Sequence, residues 1–560
     1  MGLPARKLVA SIAAAVLLAG CGGGGSGEDN EDGDSVAASA SPESTEDGGD
    51  GGEQSGEITV RGCKPQNPLI PSNTNETCGG SVLDPVLAKL VRYDSEDGHP
   101  VMDIAESVET KDNITWTVKL KEDVKFHDGT KVTAASFIDA WNWGAYGPHG
   151  QLNSYFYEPI AGFADLQSTG KKKPKKRVMS GLKKVDDYEF TVTMGAKNST
   201  FLQRLGYTAF AALPKSFFAD DGESFGTKPI GAGAFKMVKA DRNREFVLEA
   251  DPDYDRVGRP SISKVTFKVF SKIDAAYKEL QDDQIDMIDE IPTDSLVDDL
   301  FKEDLDERVM ERPVGIESFI LFPPSKTDDS YDSPKLRHAI SMSIDRDTIT
   351  KNVFNGARVP ATGWVSPVAD GYEEGACGEY CEYAPEAAKK LFDEAGGYDD
   401  GPLTIAYNAD SSNKDWIDAA CISISKALDV ECLGKPTPTF AEIRQRITER
   451  KQKGMFGSGW QMDYPSIENF LGPLYGTGAG SNDGDYTNKK FDAQLKKAAG
   501  EIGADAVNEA YRAAERMLAD GMPAVPLWYR KSQGGFSKNI ASANFTVFGT
   551  YDLASVRLKD

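Results

Sequence analysis

The chain has 560 residues, a formal net charge of −25 at neutral pH and 39% apolar residues. This length predicts about three domain-sized units or one large multi-lobed body, and the apolar content is sufficient for a buried core. Nucleic-acid binding favours a basic surface, so the acidic balance argues against a nucleic-acid partner.

The N-terminus has the pattern of an exported lipoprotein. A short basic segment precedes an apolar run over residues 8–18, which is too short to span a bilayer. Residues 18–21 (LAGC) resemble a lipobox, in which the chain is cut before Cys21 and diacylglycerol is attached to its sulfur. We therefore expect residues 1–20 to be a signal peptide and Cys21 to anchor the protein to the outer face of the cell membrane. The alternative is an ordinary secretory signal followed by a chance cysteine.

Residues 21–57 are rich in Gly, Ser and acidic residues. They contain eleven Asp and Glu and no Lys or Arg. Such a segment buries too little apolar surface to order itself, so it is expected to be a disordered acidic tether.

The six remaining cysteines predict export to an oxidising compartment. They form three local pairs: Cys63 and Cys78, Cys377 and Cys381, Cys421 and Cys432. We expect three structural disulfides, each contributing about 2–4 kcal/mol, although the sequence leaves their connectivity open. The rival interpretation is zinc or redox chemistry, but there is no C-x-x-C and the four histidines are scattered. No metal or other cofactor is therefore predicted.

Hydrophobic periodicity predicts alternating strands and helices along the rest of the chain. Strands are expected at 57–61, 114–120, 265–270, 285–288 and 311–322. Helices are expected at 84–93, 134–143 after the N-cap Thr133, 274–280, 442–451 and 489–518 with a break near 500–503.

Two polar segments are candidates for ligand contact. The Pro- and Asn-rich loop 64–80 is pinned at its ends by a cysteine pair, and the alternative is a decorated surface loop. The segment 457–471 has a glycine-rich entry, then Trp460 and Asp463, followed by Tyr464. A buried carboxylate needs a cationic partner, so Asp463 is a candidate for binding an amino group. The alternative is that this segment is only a turn with Trp460 in the core.

Several segments together resemble the extracellular solute-binding proteins, family 5, of peptide ABC transporters. The longest match is 105–141 (AESVETKDNITWTVKLKEDVKFHDGTKVTAASFIDAW). Shorter matches follow in the order of the family at 228–236 (KPIGAGAFK), 336–346 (LRHAISMSIDR), 383–396 (YAPEAAKKLFDEAG), 460–471 (WQMDYPSIENFL) and 525–529 (VPLWY).

The resemblance implies a two-lobed α/β fold of the periplasmic-binding-protein type (type II, cluster C-like) with an interlobe ligand cleft. Lobe I is expected from residues 58–95, 200–310 and 522–560, with an extra subdomain from 96–199. Lobe II is expected from 311–521, with hinges near 305–315 and 518–525.

The resemblance also implies which residues bind the ligand. Asp463 takes the position that anchors the ligand α-ammonium in oligopeptide-binding proteins. The other expected binding residues are Trp460, Gly459, Gln461 and Tyr464 on one side of the cleft, and Thr74, Asn75 and Glu76 on the other. Some family members carry an Arg shortly before the tryptophan to bind the ligand carboxylate, whereas 453–459 here reads KGMFGSG. Arg358 and Arg444 are possible substitutes, and the alternative is that both are surface residues.

The expected function is therefore a monomeric, membrane-anchored receptor that captures oligopeptides and delivers them to the permease subunits of an ABC importer. Within the family, the alternatives are an oligosaccharide or another small solute as ligand, or a peptide-sensing role. A more remote alternative is a secreted hydrolase, although no G-x-S-x-G or H-E-x-x-H motif is present. No enzymatic activity is predicted.

Overall fold

The structure is a computed structural model that describes residues 54–168, 172–409 and 413–559. The predicted signal peptide, the lipidation site Cys21 and most of the predicted tether lie outside the described residues.

Nineteen strands are found in the described part of the chain. They are β1 Glu57–Gly62, β2 Val91–Tyr93, β3 Pro100–Met102, β4 Ala105–Thr110, β5 Thr115–Leu120, β6 Leu182–Lys184, β7 Glu189–Thr193, β8 Phe235–Asp241, β9 Glu245–Ala250, β10 Lys264–Val269, β11 Met287–Ile288, β12 Val309–Leu321, β13 Arg358–Pro360, β14 Leu403–Asn408, β15 Cys432–Thr437, β16 Met455–Gln461, β17 Ala524–Phe536, β18 Ile540–Ser542 and β19 Arg557–Leu558.

The same residues form sixteen α-helices. They are α1 Thr77–Leu83, α2 Ala134–Ala145, α3 Phe201–Arg204, α4 Glu223–Thr227, α5 Ile273–Gln281, α6 Thr293–Leu296, α7 Leu300–Asp304, α8 Pro334–Met342, α9 Arg346–Asn352, α10 Pro385–Glu394, α11 Asn413–Leu428, α12 Phe440–Thr448, α13 Ile467–Tyr475, α14 Lys489–Ala498, α15 Ala504–Arg516 and α16 Leu518–Gly521.

One mixed sheet of eleven strands connects the two lobes. Its order is β15-β14-β16-β12-β17-β11-β1-β10-β9-β8, and β13 pairs with β17 outside this path. The long strands β12 and β17 pair antiparallel along both lobes. Their register shifts between Pro313 and Glu317, so the ladder is interrupted where the sheet passes from one lobe to the other. A break in the hydrogen-bonded ladder is a natural place for the lobes to move relative to each other.

The buried apolar residues fall into separate clusters that follow this division. One large cluster is built mainly from residues 319–528. A second is built from residues 88–232 together with Tyr464. A third contains residues of β1, β8–β11 and the C-terminal segment, and a fourth contains residues of α5, β11 and α7. The four-stranded sheet β4-β5-β7-β6 packs within the second cluster, in the region predicted as the extra subdomain. The residue boundaries of the lobes stay predictions.

The predicted helix at 84–93 is wrong. Helix α1 ends at Leu83, before Pro85, and residues 91–93 form strand β2. Proline lacks the N–H that a helix interior needs, so the helix stops there. Val86, Leu87 and Leu90 are fully buried without being helical. Their spacing therefore reflects burial on several sides of an irregular segment, which periodicity alone does not distinguish from a helix.

Disulfide bonds join the three cysteine pairs that are adjacent in the sequence. Cys63 is bonded to Cys78, Cys377 to Cys381, and Cys421 to Cys432. The first of these closes the loop that precedes and enters α1, so residues 74–76 are held between a disulfide and a helix. The bond between Cys421 and Cys432 ties helix α11 to the start of strand β15.

Candidate functional site

A cleft of about 880 Å³ lies between the two lobes. Lobe I contributes residues from the loop before α1, from β2 and from the C-terminal segment 542–557, while lobe II contributes Trp460, Gln461, Met462 and Asp463. This volume lies within the range of about 300–1,000 Å³ typical of small-molecule sites. Residues that are almost 400 positions apart in the sequence therefore meet at one surface.

Strand β16 presents a free edge to this cleft. One edge pairs with β12 over residues 456–461. The other edge pairs with β14 only at Met455 and Phe456. Among the described residues, no strand pairs with that edge beyond Phe456. Gly459 and Gln461, which follow in the same strand, are exposed. Backbone N–H and C=O groups at such an edge are available to an extended chain.

Asp463 lies two residues after the end of this strand and is half-buried at the end of the cleft. Its backbone N–H donates to the Asn469 side-chain oxygen at 2.9 Å, and the Asn469 amide lies 3.4 Å from its carboxylate. Burial raises the pKa of Asp463 to about 6, although hydrogen bonds from Asn469 and Tyr155 and the charge of Arg204 lower it. Among the described residues, Asp463 forms no ion pair. Its carboxylate is therefore desolvated without a bonded cation.

A small cavity of about 20 Å³ adjoins the Asp463 carboxylate. Tyr155, Asp463, Arg204 and Asn469 contribute to its wall, together with apolar groups. Because Tyr155 and Asp463 also line the large cleft, the cavity lies at the end of that cleft. It is large enough for one water-sized group. A primary ammonium group has about this size.

The loop that carries Asp463 is held by a buried ion pair. Arg204 lies 3.1 Å from the carboxylate of Glu468, which also accepts hydrogen bonds from Thr200 at 3.3 Å and from Tyr464 at 2.5 Å. The Arg204 guanidinium also packs over the Tyr464 ring, 4.7 Å from its centre. Because the Arg204 guanidinium is already ion-paired with Glu468, it neutralises the charge of Asp463 only in part.

The predicted residues of lobe I line the opposite wall of the cleft. Thr74 and Glu76 both have extended backbone conformations. The Glu76 carboxylate accepts from the backbone N–H groups of Gly79 and Gln66, each at 3.1 Å. The Thr74 carbonyl accepts from the Asn153 side chain at 2.8 Å. The Glu76 side chain therefore caps helix α1. Asn75, which lies between Thr74 and Glu76 in the sequence, is half-buried and lines the cleft.

The predicted residues of lobe II do not all line the cleft. Trp460, Gln461 and Asp463 line the cleft, and the Trp460 indole N–H donates to Asn469 at 3.1 Å. Gly459 lies beside them on the exposed edge of β16, outside the cleft lining. A Cβ atom at Gly459 would lie 2.9 Å from the Glu317 carbonyl oxygen, so this position requires glycine. Tyr464 is 1% exposed and lines the small cavity instead of the cleft.

Other residues of the site did not emerge from the sequence. Tyr155 lines the small cavity together with Asp463 and helps to lower the pKa of that carboxyl, while burial raises the pKa of Tyr155 itself well above the ordinary value. Asn469 holds both Trp460 and the backbone of Asp463. The signal for Asn469 was its place in the motif 460–471. The neighbouring sequence of Tyr155 gives no such signal, since it reaches the site only through the fold.

Two arginines were predicted as possible carboxylate ligands. Arg444 donates to Asp483 at 2.6 Å, so its charge is already paired. Arg358 forms no ion pair among the described residues, but it does not line the cleft either.

The described part of the chain gives little support for a metal site or a membrane-spanning helix. The side chains of Asp94, Asp97 and His99 are close enough to share an ion, but Asp97 and His99 are exposed and contact each other at 2.6 Å. Each helix in residues 54–168, 172–409 and 413–559 is too short or too polar to span a membrane.

Two lobes, a shared sheet and an interlobe cleft define a two-lobed solute-binding protein. Residues 99–482 match the family model described as bacterial extracellular solute-binding proteins, family 5 Middle. The match covers more than half of the chain, which therefore belongs to the family 5 extracellular solute-binding proteins of ABC transporters.

Curated relatives of this chain are named as binding proteins. The periplasmic oligopeptide-binding protein OppA of Escherichia coli strain K12 is 28% identical over 453 residues, which cover 77% of this chain and 80% of OppA. The glutathione-binding protein GsiB of the same strain is 25% identical over 488 residues, which cover 84% of this chain and 88% of GsiB.

Solved structures share the fold over nearly the whole chain. The unliganded open form of the periplasmic murein tripeptide-binding protein MppA has a TM-score of 0.76 at 21% identity, covering 90% of this chain and 98% of MppA. Haemophilus influenzae OppA in complex with RPPGFSPFR has a TM-score of 0.67 at 21% identity, covering 91% of this chain and all of that protein. The predicted fold class, a two-lobed α/β protein of the periplasmic-binding-protein type, is confirmed.

Proposed function

We propose that this protein captures oligopeptides in the interlobe cleft and holds their α-ammonium group at Asp463. The observation that carries this proposal is the Asp463 carboxylate, which is desolvated at the end of the cleft and lacks a bonded cation. A buried carboxylate is costly unless a cation and hydrogen-bond donors compensate it. A ligand ammonium in the adjoining 20 Å³ cavity supplies both.

The free edge of β16 supports an extended peptide as the rest of the ligand. An extended chain added along residues 457–461 forms main-chain hydrogen bonds that do not depend on its side chains. This mode explains how a receptor can bind many peptides with one site. An oligosaccharide has no regular series of N–H and C=O groups to match that edge.

The charge of the cleft is in accord with a cationic ligand end. Five acidic residues line it against three basic ones: Glu76, Asp84, Asp94, Asp463 and Asp552 against Lys89, Arg92 and Arg557. Lys89 is paired with Asp84 and Arg92 with Asp103. The uncompensated charge is therefore negative, which attracts the ammonium end of a peptide.

Calorimetry with matched peptides tests the ammonium anchor. We expect peptides with a free amino terminus to bind the wild type, and their N-acetylated forms to bind at least tenfold more weakly, because a charge-assisted bond is lost. Asp463→Asn removes the charge without changing the size of the side chain, and should abolish the preference for the free amine. Asp415→Asn, on an exposed position of α11, is the control. Equal affinity of the wild type for free and acetylated peptides would overturn the proposal.

Mass spectrometry of ligand carried through purification tests the ligand class independently. Peptides are expected. A recovered sugar would favour the oligosaccharide alternative within the same family and would exclude the amine anchor as the main determinant.

The role in transport extends this proposal. The family is that of ABC importers, so we infer that the loaded receptor delivers peptide to permease subunits and acts by binding instead of catalysis. We further infer that Cys21 carries the lipid anchor. Cys21→Ala should release the protein from the membrane fraction into the medium, and a variant that stays in the membrane fraction contradicts the anchor.

A further inference from the structure

A run of basic residues forms an exposed surface before and along strand β6. Residues 172–185, the basic patch, contain seven Lys and Arg and no Asp or Glu, in a chain whose net charge is −25. Lys172, Lys173 and Lys175 are exposed and form no ion pair with another described residue. No residue of the patch lines the cleft. The patch is therefore a concentrated positive surface that peptide binding does not use.

The acidic residues beside the patch neutralise little of its charge. Lys176 lies 2.7 Å from the Asp165 carboxylate, and Lys184 lies 2.5 Å from that of Asp187. All four side chains are exposed, so water and salt screen both pairs. The patch thus keeps most of its positive charge available to a partner.

Two exposed aliphatic side chains lie among the basic ones. Val178 is 60% exposed and Val185 is 58% exposed. Val178 directly follows Arg177, and Val185 directly follows Lys184. Basic residues interleaved with exposed apolar ones suit an anionic phospholipid surface, because the charges meet the headgroups and the apolar side chains enter the interface. The patch therefore combines the two kinds of contact that such a surface offers.

Protection of a sheet edge explains only part of the pattern. Strand β6 is the outer strand of the sheet β4-β5-β7-β6. Lysines on an edge strand discourage pairing with another chain, which accounts for Lys183 and Lys184. Lys172, Lys173 and Lys175 precede the strand, so edge protection does not account for them.

We propose that the basic patch binds the anionic phospholipid headgroups of the cell membrane and orients the receptor on the bilayer. The Debye length is about 8 Å at physiological ionic strength, so only charges close to the bilayer contribute. An anionic surface repels the acidic remainder of the chain and attracts the patch. The attraction therefore selects an orientation in which the edge of the sheet β4-β5-β7-β6 faces the bilayer. This inference depends neither on the ligand of the cleft nor on a lipid at Cys21.

Vesicle cosedimentation tests the patch without the lipid anchor. The chain without its predicted signal peptide and with Cys21→Ser carries no lipid. It is mixed with vesicles of phosphatidylcholine alone, or with vesicles that also contain phosphatidylglycerol. Binding is expected to the anionic vesicles only. It should be lost when the ionic strength is raised to about 1 M, where the Debye length is about 3 Å.

Charge and apolar variants assign the binding to the patch. The triple variant Lys172→Gln, Lys173→Gln, Lys175→Gln should lower the partition coefficient onto anionic vesicles roughly a hundredfold, at about fivefold for each charge. Val178→Ser should lower it about fivefold at the same net charge, because the valine no longer enters the interface. A control that removes the same charge and should have little effect is the change to Gln of three exposed lysines of α14: Lys489, Lys490 and Lys497.

Several results would overturn the proposal. Equal binding to neutral and anionic vesicles, or an equal loss in the triple variant and the control, would show that the patch does not recognise anionic lipid. A loss in the triple variant without any effect of Val178→Ser would indicate a contact with polyanions in general and contradict a lipid surface. Binding that appears only after deletion of residues 22–53 would show that this acidic segment covers the patch in the intact chain. If urea unfolding shows that the triple variant is not folded, the lipid and salt dependence of the parent chain and the effect of Val178→Ser decide.

Discussion

The Arg204 guanidinium lies 3.1 Å from the Glu468 carboxylate, in a buried ion pair that joins helix α3 of the first half of the chain to helix α13. The two residues are 264 positions apart. The pair therefore fixes the loop of Asp463 against the region that carries Tyr155.

Arg204→Ala should destabilise the protein by roughly 3–5 kcal/mol, because Glu468 would remain buried without its counter-charge. Urea unfolding of the wild type and variant measures the change. Arg516→Ala is the control, since Arg516 is 42% exposed in its pair with Glu373 and should change stability by less than about 1 kcal/mol. Equal effects of the two substitutions would show that burial does not increase the contribution of the Arg204–Glu468 pair to the free energy of unfolding.

The affinity for free-amine peptides should depend on pH through Asp463. Its pKa is about 6 before the ligand binds, and only the ionised carboxylate pairs with an ammonium group. Affinity should be highest near pH 7 and fall about tenfold per pH unit below pH 6, because a proton must then be removed from Asp463 on binding; it should weaken again above about pH 8, where the free peptide amine loses its proton. Calorimetry from pH 4.5 to 8 measures this, and Asp463→Asn should flatten the profile.

Asn469→Ala should weaken peptide binding although the residue need not touch the ligand. Asn469 accepts from the Trp460 indole and from the Asp463 backbone, so its loss releases both. We expect about a tenfold loss of affinity and a more mobile Trp460, since each neutral bond contributes about 1 kcal/mol. Tryptophan fluorescence anisotropy and calorimetry measure the two effects. Reduced affinity with unchanged anisotropy would argue against a positioning role.

A buried acidic cluster behind Trp460 should make stability fall as the pH rises. Glu317 is 0% exposed and neither of its carboxylate oxygens has a hydrogen-bond partner among the described residues. Burial raises the pKa of nearby Glu515 from 4.5 to about 8. The folded state thus holds a proton that the unfolded chain releases, so stability decreases between pH 4.5 and 8.

Glu515→Gln removes the contribution of Glu515 to this dependence, while that of Glu317 remains. The glutamine keeps an acceptor for the Trp364 backbone N–H, which donates to Glu515 at 2.9 Å. The variant should exceed the wild type in free energy of unfolding by a small amount at pH 5 and by on the order of 3 kcal/mol at pH 7. The larger difference arises because pH 7 lies 2.5 units above the ordinary glutamate pKa of 4.5. Denaturant midpoints across this pH range measure it. Glu509→Gln on the same helix is the exposed control, and a gain that does not grow with pH would contradict the assignment.

Breaking the disulfide between Cys63 and Cys78 should affect both stability and binding. The paired change to serine opens a loop of 15 residues, which costs about 3 kcal/mol in the chain-entropy description. Because this loop holds Thr74, Asn75 and Glu76, peptide affinity should also fall. The Cys377–Cys381 disulfide closes a much shorter loop that does not line the cleft, so its double serine variant should leave affinity unchanged.

Local patterns in the sequence determined much of this protein. Most of the strands and helices that were predicted, the cysteine pairs and the neighbourhood of Asp463 follow from residues close together in the chain. Residues 460–471 carry Trp460, Asp463 and Asn469 within ten positions, so a motif places them together. The buried segment after Leu83 was the exception, since burial on several sides imitates a helical period.

Only the tertiary structure decided which distant groups share the site. Tyr155 and Arg204 line the small cavity beside Asp463 although they are roughly 310 and 260 positions away in the sequence. Burial then sets the chemistry of the site, because it raises the pKa of Asp463 to about 6. Charge and desolvation depend on contacts between segments far apart in sequence, and these contacts form only when the chain folds.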